Sequence, residues 1–450
     1  MKSTLPGSVG AANLRTVSLA ASLGSLVEYF DWGIAAPIAA LVWPSVFFPQ
    51  LPPVEALAAS LATFGVVYLV RPVGAFFFGR YGDRHGRKKG LTLTLVLMGA
   101  GSLGLALAPG YASIGLAAPL VLIALRGVQG IGHGGEWGGA STWVSEAAAG
   151  SKRRGFWTGW VTFAAPAGNL LSSLSFYTLS ATMGPAFFAY GWRYLFLTGG
   201  VVAVTGLLIR WKFAESPLFQ SGREDSKEQS QDPGFLRTQW KRIVTLTVSF
   251  MCLSLTVGVL TSTFGLSYLT KLGFTATSAT LFGWLARIPG LIAFVTGAVV
   301  ADRKGRLVPL RLGMLMLIPA VLAYFPLVNL NTFASVLVAF SLVEVSVNFA
   351  SGSIAALFTE SFPTRHRNKG AGLSYHTGSL IQGSILTLAV PAVISGFGGV
   401  TNAATPIAGL LVCVISVSLA ASLRVRETMG RGLVEGAVAI SVGPRALAKD

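Results

Sequence analysis

Glu28 and Asp31 stand in the stretch SLVEYFDWG, inside an otherwise apolar run. A charge at bilayer depth costs several kcal/mol, so an ionisable side chain in such a run marks a place that binds or moves something charged. The same holds for Arg71, for Arg126, His133 and Glu136, for Arg287 and for Glu344. Four acids against three arginines leave one acid able to exchange a proton. Glu28 and Asp31 are three residues apart and share one face of a helix, and neighbouring carboxylates suit reversible protonation. Alternatively, one of them simply neutralises Arg71 or Arg126.

In RGVQGIGHGGEWGGA, the residues Arg126, Gln129, His133 and Trp137 fall at helical spacing on one stripe. A polar stripe in an apolar helix is expected to face water. The glycines between them leave a nearly bare helix surface, suited to close packing or to sliding on a neighbour. Arg126 is the expected ligand anchor, because a guanidinium fork holds a carboxylate through two hydrogen bonds; the competing reading is an ion pair with Glu28 or Asp31. His133 either relays protons or only bonds a neighbour. Glu344 follows Arg126 by 218 residues, which places an acid opposite a base if the chain is a repeat.

The elements that must position these groups follow from composition. The 450 residues are 52% hydrophobic and only 11% charged, too apolar and charge-poor for a soluble domain of this length. Stretches long enough to cross a bilayer number about twelve. The formal charge of +17 suggests nucleic acid only if its placement is ignored. Lys and Arg fall in alternate loops and the two tails, so both termini are expected in the cytoplasm of a multi-pass cell-membrane protein. The boundaries read as a bundle over residues 1–214, a polar linker over 215–242, a second bundle over 243–426 and a tail over 427–450. Cys252 and Cys413 both lie in apolar runs and are expected to be core packing, with no disulfide and no metal. The N-terminus lacks the pattern of a cleaved signal.

Two charged clusters interrupt the apolar runs at half-chain spacing. GRYGDRHGRKK spans Gly79 to Lys89 and ADRKGR spans Ala301 to Arg306, so Asp83, Arg84, Gly86 and Arg87 recur as Asp302, Arg303, Gly305 and Arg306. Ala298 stands where the first copy has Gly79. Glu146 with Arg153 and Arg154, and Glu360 with Arg365 and Arg367, repeat at a similar offset, and salt-bridge networks with the charged loops are expected at the helix ends. Duplicated charge loops of this form resemble the signature of the major facilitator superfamily.

Within that superfamily, EYFDWG, RGVQGIGHGGEWGGA, GWRYLF, ESPLF and FTESFPTRHRNKGAGLSY are similar to the metabolite-proton symporters, and most to shikimate-type carriers. The resemblance implies an all-α membrane protein of twelve helices in two pseudo-symmetric bundles. It also implies import of a small organic anion or zwitterion with protons, by alternating access, without a cofactor, as a monomer in the lipid bilayer with no nucleic acid partner. Proton coupling is then expected from Glu28, Asp31, Glu136, His133 and Glu344. Substrate contacts are expected from Arg126, Gln129, Arg71, Arg287, Tyr29, Tyr375 and Gln382, and gating from the paired loops with Glu146 and Glu360. Two other readings compete: a drug-proton antiporter, suggested by Pro166 and Gly168, and a transporter-like metabolite sensor. No nucleophile, base or metal spacing indicates an enzyme.

Overall fold

The computed structural model describes residues 11–211, 234–274 and 276–430. Among them run twelve long helices: α1 (Ala11–Leu41), α2 (Pro53–His85), α3 (Arg87–Leu107), α4 (Ala117–Ala147), α5 (Arg154–Met183), α6 (Trp192–Trp211), α7 (Phe235–Val257), α8 (Ala276–Lys304), α9 (Leu307–Asn329), α10 (Phe333–Ser351), α11 (Arg367–Ser384) and α12 (Ala404–Leu423). Helices suit a chain that crosses hydrocarbon because each satisfies its own backbone N–H and C=O groups. Eight of the twelve meet the length and hydropathy needed to span a bilayer. The other four, α1, α4, α5 and α11, carry many of the buried polar side chains, which neighbouring helices satisfy in place of lipid.

α1 to α6 form one bundle and α7 to α12 a second, and the repeat reaches the backbone. Gly86 and Gly305, the matching glycines of the two charged loops, both have φ of 112°, a region that strains any residue with a Cβ. The bundles meet chiefly where α2 and α4 lie on α11 and where α5 lies on α8.

Boundaries differ from the sequence reading in three places. α7 starts at Phe235, inside the stretch read as linker through residue 242, because its first turns carry an amphipathic basic face rather than an apolar one. The rest of that linker, including ESPLF, and the tail after Gly430 fall outside the described residues. α10 ends at Ser351 and resumes as Ile354–Glu360. Finally, α7 passes through a π-helical turn at Gly258–Ser262 into Phe264–Lys271. That turn frees backbone groups, and Tyr324 donates its hydroxyl to the Leu260 carbonyl at 2.5 Å. A Cβ on Gly265 would lie 1.7 Å from the same oxygen, so the bend requires glycine there.

Cys252 is buried and Cys413 is exposed on α12. The expectation of core packing for Cys413 is therefore corrected: an apolar run in a membrane helix has a lipid-facing side, and periodicity alone does not separate it from the core.

The glycines of α4 are packing surfaces. A Cβ at Gly134 would stand 2.1 Å from the Arg71 carbonyl on α2, and one at Gly138 would stand 2.8 Å from Gly372 Cα on α11. The second contact joins the two bundles. Gly138→Ala is expected to loosen that contact by about 1–3 kcal/mol, the usual cost of overpacking, while leaving each bundle folded. Crosslinking between α4 and α11 by paired cysteines, compared with and without the substitution, measures it.

Candidate functional site

Ion pairs close one face of the molecule. Arg87 reaches Glu146 at 3.0 Å and also pairs with Asp83, while Arg367 from the second bundle reaches the same Glu146 oxygen at 2.9 Å. The mirrored set has Arg306 with Glu360 at 2.9 Å and Asp302 at 2.5 Å, and Arg154 from the first bundle with Glu360 at 2.6 Å. Each glutamate thus holds an arginine of its own bundle and one of the other, and both glutamate side chains are buried. The aspartates cap helices across the seam. Asp83 accepts from the backbone N–H of Asn368 and Lys369 at the start of α11, and Asp302 from those of Gly155 and Phe156 at the start of α5. These N–H groups have no partner inside their own helices, which makes a carboxylate there favourable. Gly79 is needed for the approach, since a Cβ on it would stand 2.6 Å from Lys369 Cα. Arg84 and Arg303 are exposed.

The residues after α12 reinforce this closure, and the sequence gave no signal for it. Glu427 accepts from the backbone N–H of Arg306 at 2.9 Å and Leu307 at 3.0 Å, and from Thr428 and Met429. Thr428 donates to Glu360 at 2.6 Å. Burial pushes the Glu427 carboxyl up, but the four N–H donors outweigh it and hold the group below the ordinary glutamate range. A group whose folded value is depressed adds stability above its unfolded value, and that stability is lost as pH falls through the folded one. Melting temperature is therefore expected to fall on acidification below about pH 4 more steeply in the parent than in Glu427→Gln, which starts lower at neutral pH.

Between the bundles lies a cavity of about 190 Å³. From the first bundle it is walled by Tyr29, Trp32, Tyr68, Arg71 and residues of α5 including Asn169. From the second come Arg287, Glu344, Asn348, Tyr375 and Gln382, with the π-helical turn of α7 beside them. Arg71 is held from behind by Glu28 at 3.4 Å and His133 Nδ1 at 3.2 Å, and lies 5.3 Å from the centre of the Tyr68 ring. Glu28 accepts no hydrogen bond, so its charge rests on Arg71. On the opposite wall, Thr261 and Asn348 donate to Glu344 at 3.1 and 2.9 Å. Tyr29 and Tyr375 join hydroxyls across the seam at 2.7 Å, and Trp137 stacks on Tyr375 at 3.9 Å.

Two charged loops half a chain apart, each with an arginine on the glutamate of the following helix pair, enclose this cavity between two six-helix bundles. Residues 21–387 match the Major Facilitator Superfamily. The chain belongs to this superfamily. It is thereby a membrane transporter and not an enzyme. It is 33% identical to an inner membrane metabolite transport protein, YhjE, of Escherichia coli over 83% of this chain and 86% of that one. It is 30% identical to a citrate-proton symporter of Salmonella typhi over 91% and 94%. The proton:xylose symporter XylE, solved with 6-bromo-6-deoxy-D-glucose bound, shares the fold with a TM-score of 0.76 over 94% of this chain and 98% of that one, at 17% identity.

The superfamily fold distributes the polar residues differently from the one-dimensional pattern. Arg126, Gln129, His133 and Trp137 are fully buried and none of them lines the cavity. Instead of meeting water, they meet other side chains. Arg126 donates to Gln129 Oε1 at 2.7 Å, Gln129 donates to Ser102 at 2.9 Å and to Asp31 at 3.3 Å, and Ser102 donates to Asp31. Glu28 and Asp31 therefore part company: one faces Arg71 on α2, the other faces α3 and Gly199 on α6. Arg126 and Glu344 do not confront each other across the cavity. Glu136 is buried and accepts from Thr94 at 2.8 Å. Asn348 was missed although it sits four residues after Glu344, one turn along the same helix. Trp32, whose indole donates to the Tyr68 hydroxyl at 2.9 Å, was missed because nothing in the sequence relates α1 to α2 side chain by side chain.

Proposed function

We propose that this transporter imports a small carboxylate-bearing metabolite together with protons, by alternating access to the central cavity, with the basic loops and both termini in the cytoplasm. The observation that carries this reading is the pair of guanidinium groups, Arg71 and Arg287, set on the cavity wall from opposite bundles. Two forks in a room of about 190 Å³ fit a small anion whose carboxylate bridges them. Arg71 takes the clamping role first expected of Arg126, because Arg126 lies off the wall. The relatives include a citrate-proton symporter, which supports both the anion and the proton.

Coupling follows from Glu28. A substrate carboxylate that draws Arg71 toward the cavity removes the one cation balancing Glu28, so substrate and proton are favoured together. Asp31, with Arg126, Gln129 and Ser102, forms a second acid-base group away from the wall and is the other candidate for the proton. Tyr29, Tyr375 and Gln382 bound the ligand. The ionic clasp, with Asp83, Arg87, Glu146, Asp302, Arg306 and Glu360, closes the cytoplasmic gate, so the conformer is one with that side shut.

An exporter of lipophilic cations fits poorly, since two arginines on the wall repel them. A metabolite sensor without flux would use the same wall, and only transport separates it from a carrier. The test is uptake into proteoliposomes with an acidic exterior, across small carboxylates, zwitterions and lipophilic cations. Concentrative uptake of a carboxylate that collapses with a protonophore is the expected result; binding without uptake, or uptake of cations alone, sinks the proposal.

A further inference from the structure

Outside the central cavity, a groove of about 240 Å³ runs between α5 and α8, lined by Phe156, Gly159, Trp160, Phe163, Phe294, Val295 and Ala298. It is wholly apolar, so water gains nothing by filling it, and it lies where the two bundles meet. Its α5 residues begin two positions after the start of that helix at Arg154, and its α8 residues end six positions before Lys304. At 1.5 Å of rise per residue, the groove occupies the half of the membrane next to the basic loops. Gly159 keeps it open, because a Cβ there would already touch Ala298 at 3.5 Å.

The mouth of the groove is positive. Lys152 and Arg153 precede α5, Arg303 and Lys304 end α8, and all four are exposed. Arg153 and Arg303 pair with no carboxylate among the described residues. Asp302, beside them in sequence, is engaged by Arg306 and by the N–H groups of Gly155 and Phe156. We infer that this groove binds an anionic phospholipid, one acyl chain lying on Trp160 and Phe163 and the phosphate at Arg153, Arg303 and Lys304. Arginine and lysine at a membrane surface attract such headgroups, and an acyl chain supplies the contacts that the apolar walls otherwise lack. The lipid would span the seam between bundles and so favour the conformer in which α5 and α8 are pinned together.

The purified full chain in detergent tests this with phosphatidylglycerol and phosphatidylcholine of identical chains. The expected result is a larger rise in melting temperature with phosphatidylglycerol. Ala298→Trp, which fills the groove, should remove that excess, and the triple change Arg153→Gln, Arg303→Gln, Lys304→Gln should reduce the response to the level of phosphatidylcholine. Brominated phosphatidylglycerol should quench the fluorescence of the parent more than that of Trp160→Phe, a readout that survives if Ala298→Trp folds poorly. Equal shifts for the two lipids, a phosphatidylglycerol excess untouched by the triple change, or quenching unaffected by Trp160→Phe would overturn the assignment. So would a dimer in detergent that Ala298→Trp dissolves, which would make the occupant a second copy of the chain.

Discussion

Glu360→Gln is expected to open the closed face by two to three orders of magnitude. Glu360 accepts from Arg154 at 2.6 Å, from Arg306 at 2.9 Å and from Thr428 at 2.6 Å, all in a buried setting. Glutamine keeps the shape but leaves two buried guanidinium groups short of a countercharge. Breaking a buried pair this way costs about 3–5 kcal/mol, and each 1.4 kcal/mol is about tenfold in an equilibrium. If the clasp exists only in the cytoplasm-closed state, the whole cost falls on that state and the protein shifts to the other. The reporter is Ser145→Cys in a chain whose Cys252 and Cys413 are serine. Ser145 is buried at the seam and accepts from Thr359 of the second bundle at 3.0 Å. Maleimide labelling from the cytoplasmic side should be slow in the parent and at least about a hundredfold faster with Glu360→Gln. Unchanged labelling would mean that the clasp does not set the conformation.

Arg71→Ala should abolish measurable binding, and Glu28→Gln should separate binding from coupling. A hydrogen bond to a charged group contributes about 1.5–3 kcal/mol, so losing one fork of a two-fork clamp weakens binding by about ten- to 150-fold. Arg71→Lys should rescue only part of it, since an ammonium lacks the planar fork. In Glu28→Gln, Arg71 has lost its acid and stays available to substrate at every pH. Exchange of labelled for unlabelled substrate should persist, while accumulation driven by a proton gradient should fall to the equilibrium level. Should Glu28→Gln accumulate substrate normally and Asp31→Asn fail to, the coupling acid is Asp31. Should the double variant accumulate normally, proton coupling through either acid is wrong.

What could be read in the sequence was what repeats or what costs energy to place. The paired loops from Gly79 and Ala301 announce the duplicated fold because their spacing is a fact of the chain. Arg71, Arg287 and Glu344 stand out because a charge in an apolar run needs a reason. Which of those charges meet the cavity was not legible. Arg126 and Arg71 look alike in one dimension, and only the rotation of α4 against α1 and α3 buries Arg126 behind Gln129 and Asp31. Likewise Glu28 and Asp31 share a nominal face, yet the 60° or so between positions i and i+3 at 3.6 residues per turn is enough to give them different partners. Glu427 could not be foreseen at all: its role comes from a backbone return onto the start of α9, which leaves no trace in residue type.

The exchange of caps at the closed face bears on where such a chain comes from. Asp83 of the first bundle completes α11 of the second, and Asp302 of the second completes α5 of the first, while the two glutamates share arginines in the same crossed manner. A contact in which each side gives what it receives is isologous, the form that two identical subunits make about a two-fold axis. A polypeptide of half this length could have built the same face with a copy of itself. The connection between the bundles would then have joined partners that already fitted, and the two halves were afterwards free to diverge around the cavity, where Arg71 and Glu344 no longer match.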